Sequence, residues 1–188
     1  VVSTPLAAVR EAEDACVVRA SRRRLDATLV DPVAHGEPGR VIRRLALAAI
    51  DAAGESWEEL FRRLHRGLDG TAGASVAVLR IDRRAGRLRF RGTGRILGWA
   101  IGRSAVALRS APGIVGVGRP VASAAVETSW EPGGWAFLAA DGLVEGWDLR
   151  PDRLAGAGSL DEVVARLGQA RSRPPDDATL LLIGAQLS

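Results

Sequence analysis

The sequence predicts an α+β layered domain, and three observations carry that prediction. The apolar pattern opens with two strand-like runs and passes to a helical period. After Gly70 it changes to a period of two, and it closes on one helix-like and one strand-like segment. The chain has 188 residues and is 47% hydrophobic, which suits one sizeable core. No Pro, Gly or Ser tract is long enough to act as a linker, and there is no internal repeat or low-complexity segment, so residues 1–188 read as a single domain.

Each element has a local reason. DACVVRA (Asp14 to Ala20) and LDATLV (Leu25 to Val30) are apolar runs joined by the polar SRRR, and they predict a strand pair. Pro38 suits a first helical turn, and Val41, Ile42, Leu45 and Ala49 recur behind it at helical spacing. SWEELFRRLHRGLDG predicts a second helix. Ser56 and Glu59 form a capping box, Trp57, Leu60, Phe61, Leu64 and Leu68 share one face, and Gly70 ends the run. His65 falls on the polar side and reads as a surface residue. ASVAVLRID and RLRFRG then flank RRAG as a hairpin, Leu88 and Phe90 alternating with Arg87, Arg89 and Arg91. ILGWAI, SAVALR, SAAVETS and GWAFLAA read as further strands. SLDEVVARLGQA carries another capping box, Ser159 with Glu162, and the apolar run Ala178 to Ile183 predicts a closing strand.

Composition excludes several classes. No window approaches the roughly 18 consecutive apolar residues of a membrane span, and the start VVSTPLAAVR lacks the pattern of a signal peptide, so a cytoplasmic location with no membrane partner is expected. The net charge of +4 raises the question of a nucleic-acid partner. Yet all 26 cations are Arg, scattered apart from Arg22 to Arg24, and no aromatic residues interleave with them, so no base-stacking platform is expected. The lone Cys16 within ACVV gives neither a disulfide framework nor a Cys-based metal site and reads as a small core residue. Trp57, Trp99, Trp130, Trp135 and Trp147 read as packing residues.

The acidic residues are more informative. Asp14 opens the first strand, Asp31 closes the second in LVDPVAHG, Asp141 closes WAFLAADG, and Asp176 with Asp177 precedes the last. Singly, Asp31-Pro32 and Asp141-Gly142 are also ordinary turn chemistry. Collectively, acids at strand termini repel one another and are costly to desolvate, a pattern most naturally sustained by divalent cations.

EDACVV, LVDPVAHG, GTAGASVAVLRID with GRLRFRGTG, LAADGLVEGWD and DDATLLLIG stand in the order and spacing of one family. The chain resembles the metal-dependent type 2C (PPM) serine/threonine protein phosphatases, in particular the short bacterial SpoIIE/RsbX-like branch. The resemblance implies two antiparallel β-sheets packed as a sandwich and flanked by helices. It implies a two-metal centre, Mn²⁺ or Mg²⁺, with Asp31, Asp141 and Asp176 as ligands, the Pro32 carbonyl as a further ligand, and Asp14 as an outer carboxylate holding water. It also implies that a hydroxide bridging the metals attacks phosphorus. His35, Gly142, Asp177 and Arg95 are accessory candidates: His35 as a proton carrier, and Asp177 as a residue orienting the site or capping the turn.

The chain departs from the family pattern at three positions. Pro32 replaces the glycine after the first metal-site aspartate, fixing φ near about −65° while keeping a carbonyl. Ala34 replaces the next glycine of the family's DGxGHG. Arg95 stands in GTGR where relatives carry GVGN, and can either clamp phosphate or fill the place of a metal-bound water. The resemblance therefore implies a phosphatase acting on a phosphoserine or phosphothreonine protein, with a STAS-domain regulator of a partner-switching or stressosome pathway as the expected partner. The alternative is a catalytically impaired binding module that keeps the same surface.

Overall fold

A computed structural model of the chain describes residues 13–54, 56–120, 124–131, 133–141, 162, 165–166 and 179–184. In chain order the elements are β1 (Ala15–Ala20), β2 (Arg24–Pro32), α1 (Glu37–Asp51), α2 (Trp57–Gly67), β3 (Ala74–Asp82), β4 (Arg87–Thr93), β5 (Leu97–Ile101), β6 (Ala105–Arg109), β7 (Val126–Ser129), β8 (Trp135–Ala139) and β9 (Leu180–Gly184). They form a five-stranded sheet in the order β1-β2-β3-β4-β7 and a four-stranded sheet in the order β6-β5-β8-β9. Every pairing is antiparallel.

The apolar residues of the first sheet divide between two cores. Val76 and Val78 join Ile42, Ile50, Leu60 and Leu64 under the two helices. Ala77, Leu79 and Ile81 point the other way and meet Leu108, Leu138 and Ile183 of the second sheet. β3 is therefore covered on both faces, which is why its sequence is an almost unbroken apolar run. β4 lies nearer the sheet edge and keeps the half-buried alternation: Leu88 and Phe90 are fully buried between the sheets. On its other face, Arg89 lies over the Trp57 ring at 5.3 Å from the centroid, and Arg91 over Phe61 at 4.7 Å. Guanidinium groups thus cover the aromatic end of α2, that of Arg89 half-exposed and that of Arg91 largely buried.

α2 starts as the sequence predicts, with Ser56 Oγ accepting from the Glu59 N–H at 3.4 Å. α1 keeps Ile42 and Ala49 of the expected stripe against the core and adds Ala46 and Ile50, whereas Leu45 is exposed. The stripe follows the i, i+4 row from Ile42, because α1 must fill the space between the sheet and α2. Two further expectations are corrected. Cys16 is exposed because β1 is the edge strand of its sheet. His65 is no free surface residue. Its Nδ1 accepts from the Gly116 N–H at 3.2 Å, and its Nε2 lies 3.2 Å from the Gly118 carbonyl, fastening the glycine-rich segment after β6 to α2. Trp57 is buried as expected, and Trp99, Trp130 and Trp135 are half-buried. Trp147 and most of the helix expected from Ser159 lie outside the described residues, of which Glu162, Ala165 and Arg166 are helical.

Phe90 is the largest side chain packed between the sheets, and it is fully buried. Phe90→Ala is expected to lower stability by about 3–5 kcal/mol, read from the midpoint of urea unfolding at an unchanged slope.

Candidate functional site

Strand register sets two of the expected acids side by side at the edge of one sheet and the third at the edge of the other. β1 pairs with β2 so that Ala15 faces Val30, and continuing that ladder by one residue sets Asp14 beside Asp31. β2 runs further than the apolar pattern indicates: Asp31 and Pro32 are its last residues, opposite Ser75 and Ala74. A proline is tolerated there because the strand is ending; the next donor, the Val33 N–H, reaches the Gly73 carbonyl at 3.0 Å. In the second sheet Leu97 faces Ala139, so two residues beyond the ladder Arg95 arrives opposite Asp141. Their side chains pair at 3.1 Å between Nη1 and Oδ2.

The crossing from β4 to β5 joins the two edges. Gly94 has φ +102, and a Cβ there would come within 2.5 Å of Ser75 Oγ and 2.8 Å of the Ser75 Cα. Only glycine lets the chain pass this close over the residue opposite Asp31. Directly after it, the Arg95 N–H donates to Ser75 Oγ at 3.1 Å. Ser75 therefore ties the arginine's backbone to the strand that faces Asp31.

Burial of a carboxyl, and after it crowding of like charge, set the electrostatics at this edge. The Asp31 carboxyl is pushed up to about 8, first by burial, then by the charges of Asp14 and Asp141 and by a hydrogen bond from Asp14; Arg95 pulls the other way without offsetting them. Asp14 itself is 8% exposed. The edge is thus short of positive charge. Among the described residues, no group of three or more His, Cys, Asp or Glu side chains is disposed to hold a metal ion. The donor chemistry nonetheless fits a divalent cation: hard carboxylate oxygens, mutually destabilised and opposed by one arginine. Asp176, Asp177 and Gly142 lie outside the described residues.

Glu13 is the residue that sequence reasoning missed. It is 7% exposed, its carboxylate accepts from the Gly36 N–H, and its Oε2 lies 3.2 Å from His35 Nδ1. α1 has no side-chain cap of its own, so this carboxylate, 23 residues earlier in the chain, occupies the helix N-terminus instead. A Cβ on Gly39 would stand 2.9 Å from Glu13 Oε2 and 2.3 Å from the Ala34 carbonyl, so the helix start and the loop after Asp31 are packed around Glu13. His35 is held by Glu13 and 73% exposed. The available signal was the pair Glu13-Asp14 before a strand, of which only the second residue was weighed.

The raised Asp31 carboxyl fixes the sign of a pH effect. Between the ordinary value of 3.8 and about 8, the folded protein retains a proton that the unfolded chain releases. Stability of the metal-free protein is therefore expected to fall as pH rises through that window and to level off above it. Melting temperatures in chelator from pH 5 to 9 should show the decline, and Asp31→Asn should flatten it; a wild-type profile rising from pH 5 to 8 would contradict this account.

The family model for Stage II sporulation protein E (SpoIIE) matches residues 34–186, more than half of the chain. No curated protein matches it. Among solved structures, one from work on the bacterial stressosome, a modular system adapted to control secondary messenger signaling, aligns with a TM-score of 0.76 at 25% identity, covering 91% of this chain and 90% of the other. RsbX in complex with magnesium aligns with a TM-score of 0.81 at 17% identity over 92% and 87%. The Mycobacterium tuberculosis serine/threonine phosphatase PstP aligns with a TM-score of 0.66 at 15% identity over 96% and 95%. At the two lower identities the likeness is one of fold, and that fold is the paired antiparallel sheets described above. With these strand registers and the SpoIIE match, the chain belongs to the SpoIIE/RsbX branch of the PPM-type protein phosphatases, a family of phosphoprotein hydrolases.

Proposed function

We propose that residues 1–188 form one PPM-type domain that removes phosphate from serine or threonine of a regulatory phosphoprotein in a metal-dependent reaction. The observation that carries this reading is the cation-poor edge where Asp14, Asp31 and Asp141 converge and Asp31 is driven up to about 8. Asp31, Asp141 and Asp176, with the Pro32 carbonyl, would hold two Mn²⁺ or Mg²⁺ ions, and Asp14 would stand as the outer carboxylate. When bound, such cations neutralise phosphoryl charge and lower the pKa of water at neutral pH. Likeness to a stressosome structure and to RsbX supports a STAS-domain regulator of a partner-switching pathway, in the cytoplasm, as the class of partner.

The protein's own groups divide the remaining work. Asp14 and Asp31 share a hydrogen bond while one of them is protonated, and loss of that proton leaves Asp14 an acceptor able to orient water. Arg95 holds Asp141 across the sheet edge with its side chain 61% exposed, so this ion pair is worth only about 0–1 kcal/mol. A guanidinium fork so weakly held would be able to engage two phosphoryl oxygens from a backbone already fixed by Ser75. Glu13 keeps the loop after Asp31 closed on α1.

The pairing of Arg95 with Asp141 also favours a second reading, a binding module in which arginine has taken a cation's place. One pair of measurements separates the two. A phosphatase hydrolyses an aryl phosphate and a phosphoserine peptide with Mn²⁺ and not after chelation, and Asp141→Asn removes most of that turnover. Metal at 100 times its dissociation constant should also add about 2.7 kcal/mol of stability, which the Asp141→Asn protein should forfeit. No turnover and no metal-induced shift in the folded wild-type protein would refute the enzyme reading.

Arg95→Ala supplies a further expectation. Removing the competing cation should tighten Mn²⁺ binding by up to about fivefold by calorimetry. If wild-type protein binds no metal and Arg95→Ala does, the binding-module reading holds instead.

A further inference from the structure

Next to Asp141 lies a cavity of about 300 Å³ whose walls include Arg95, Arg109, Ser110 and Asp141 and whose apolar lining is Ile96 and Leu97. Its frame is rigid for local reasons. Arg109, the last residue of β6, faces Leu97 of β5 in register. The Gly94 N–H donates to the Ala111 carbonyl at 2.9 Å, and the Ala111 N–H to the Gly92 carbonyl at 2.9 Å, so the two walls are laced together. Ser110 Oγ donates its proton to the Ile96 carbonyl at 2.7 Å, which leaves the cations as the donors for a guest.

Among the described residues, the charges lining this cavity do not balance. Arg95 is answered by Asp141, whereas Arg109 has no acidic partner among the described residues. The volume is at the small end of ligand sites, enough for a side chain. Its chemistry is an apolar floor, for a short aliphatic stem, beneath one uncompensated guanidinium.

We infer that this cavity is a specificity subsite that takes an acidic side chain, glutamate by its fit of stem and head, from the substrate polypeptide beside the phosphorylated residue. The inference rests on the phosphatase reading, because Asp141 belongs to both the cavity wall and the acidic edge. A chain whose phosphoserine faces the acids runs past Arg109, and a carboxylate there gains a charge-assisted hydrogen bond.

The test uses phosphoserine peptides with Glu, Gln or Lys placed in turn at each of the three positions on either side. Wild-type protein should prefer Glu to Gln at one position by about tenfold in kcat/KM. Arg109→Ala should abolish the preference, and Arg109→Glu should turn it toward Lys, which a merely structural residue would not do. Equal treatment of Glu, Gln and Lys peptides by the wild type, or a Glu preference that survives Arg109→Ala, overturns the inference. Fluorescence anisotropy of the same labelled peptides reads the preference without turnover. Absence of hydrolysis on every phosphoester would therefore defeat the phosphatase reading, while the binding data would still decide the subsite.

Discussion

Carboxylates brought to one edge of two packed sheets repel each other, and a chain free to relax would move them apart. This one cannot relax, because each acid sits at the end of a paired strand. Asp14 and Asp31 are adjacent through the β1–β2 ladder, and Asp141 follows β8 at the matching edge of the second sheet. The buried apolar residues between the sheets hold those ladders in register, so hydrophobic packing offsets an electrostatic cost at the rim. The raised Asp31 carboxyl is the visible trace of that compromise.

Much of the surrounding structure bears on the same rim. Gly94 is there because the β4–β5 crossing must pass within contact of Ser75, and that passage delivers Arg95 to Asp141. Glu13 caps α1 and gathers Gly36 and His35, so the loop after Asp31, already stiffened by Pro32, has little freedom. On the far side, His65 secures the glycine-rich segment after β6. A helix end and neighbouring loops are thus fixed by a few polar side chains, Glu13 and His65 each making two contacts.

Arg95 changes the character of the rim. The family resemblance implies a small amide in its place and a metal at Asp141, whereas here a long cation reaches that acid. Its exposure makes the contact weak, so it is better suited to a group that changes partners than to a permanent substitute for a metal ion. The same position makes it one wall of the cavity that Arg109 completes. Charge at this site is therefore arranged in two neighbouring zones, acidic at the strand ends and basic at Arg95, before β5, and Arg109, at the end of β6.

Local pattern in the sequence determined the strands, both described helices, the β3–β4 hairpin and the acids at strand ends, because period, turn residues and a capping serine act over a few neighbours. The two-sided burial of β3 was also legible, as an unbroken apolar run. Four features were decided only by tertiary structure. Cys16 is exposed because β1 took the edge, Ile42 rather than Leu45 faces inward because α2 shares the space, and His65 is engaged because a loop 51 residues later folds onto it. Glu13 caps a helix that begins far downstream. The sequence could name Asp14, Asp31, Asp141 and Arg95 as candidates, but it could not set Arg95 opposite Asp141. That depends on strand register across a long loop, a long-range quantity that no local run of residues contains.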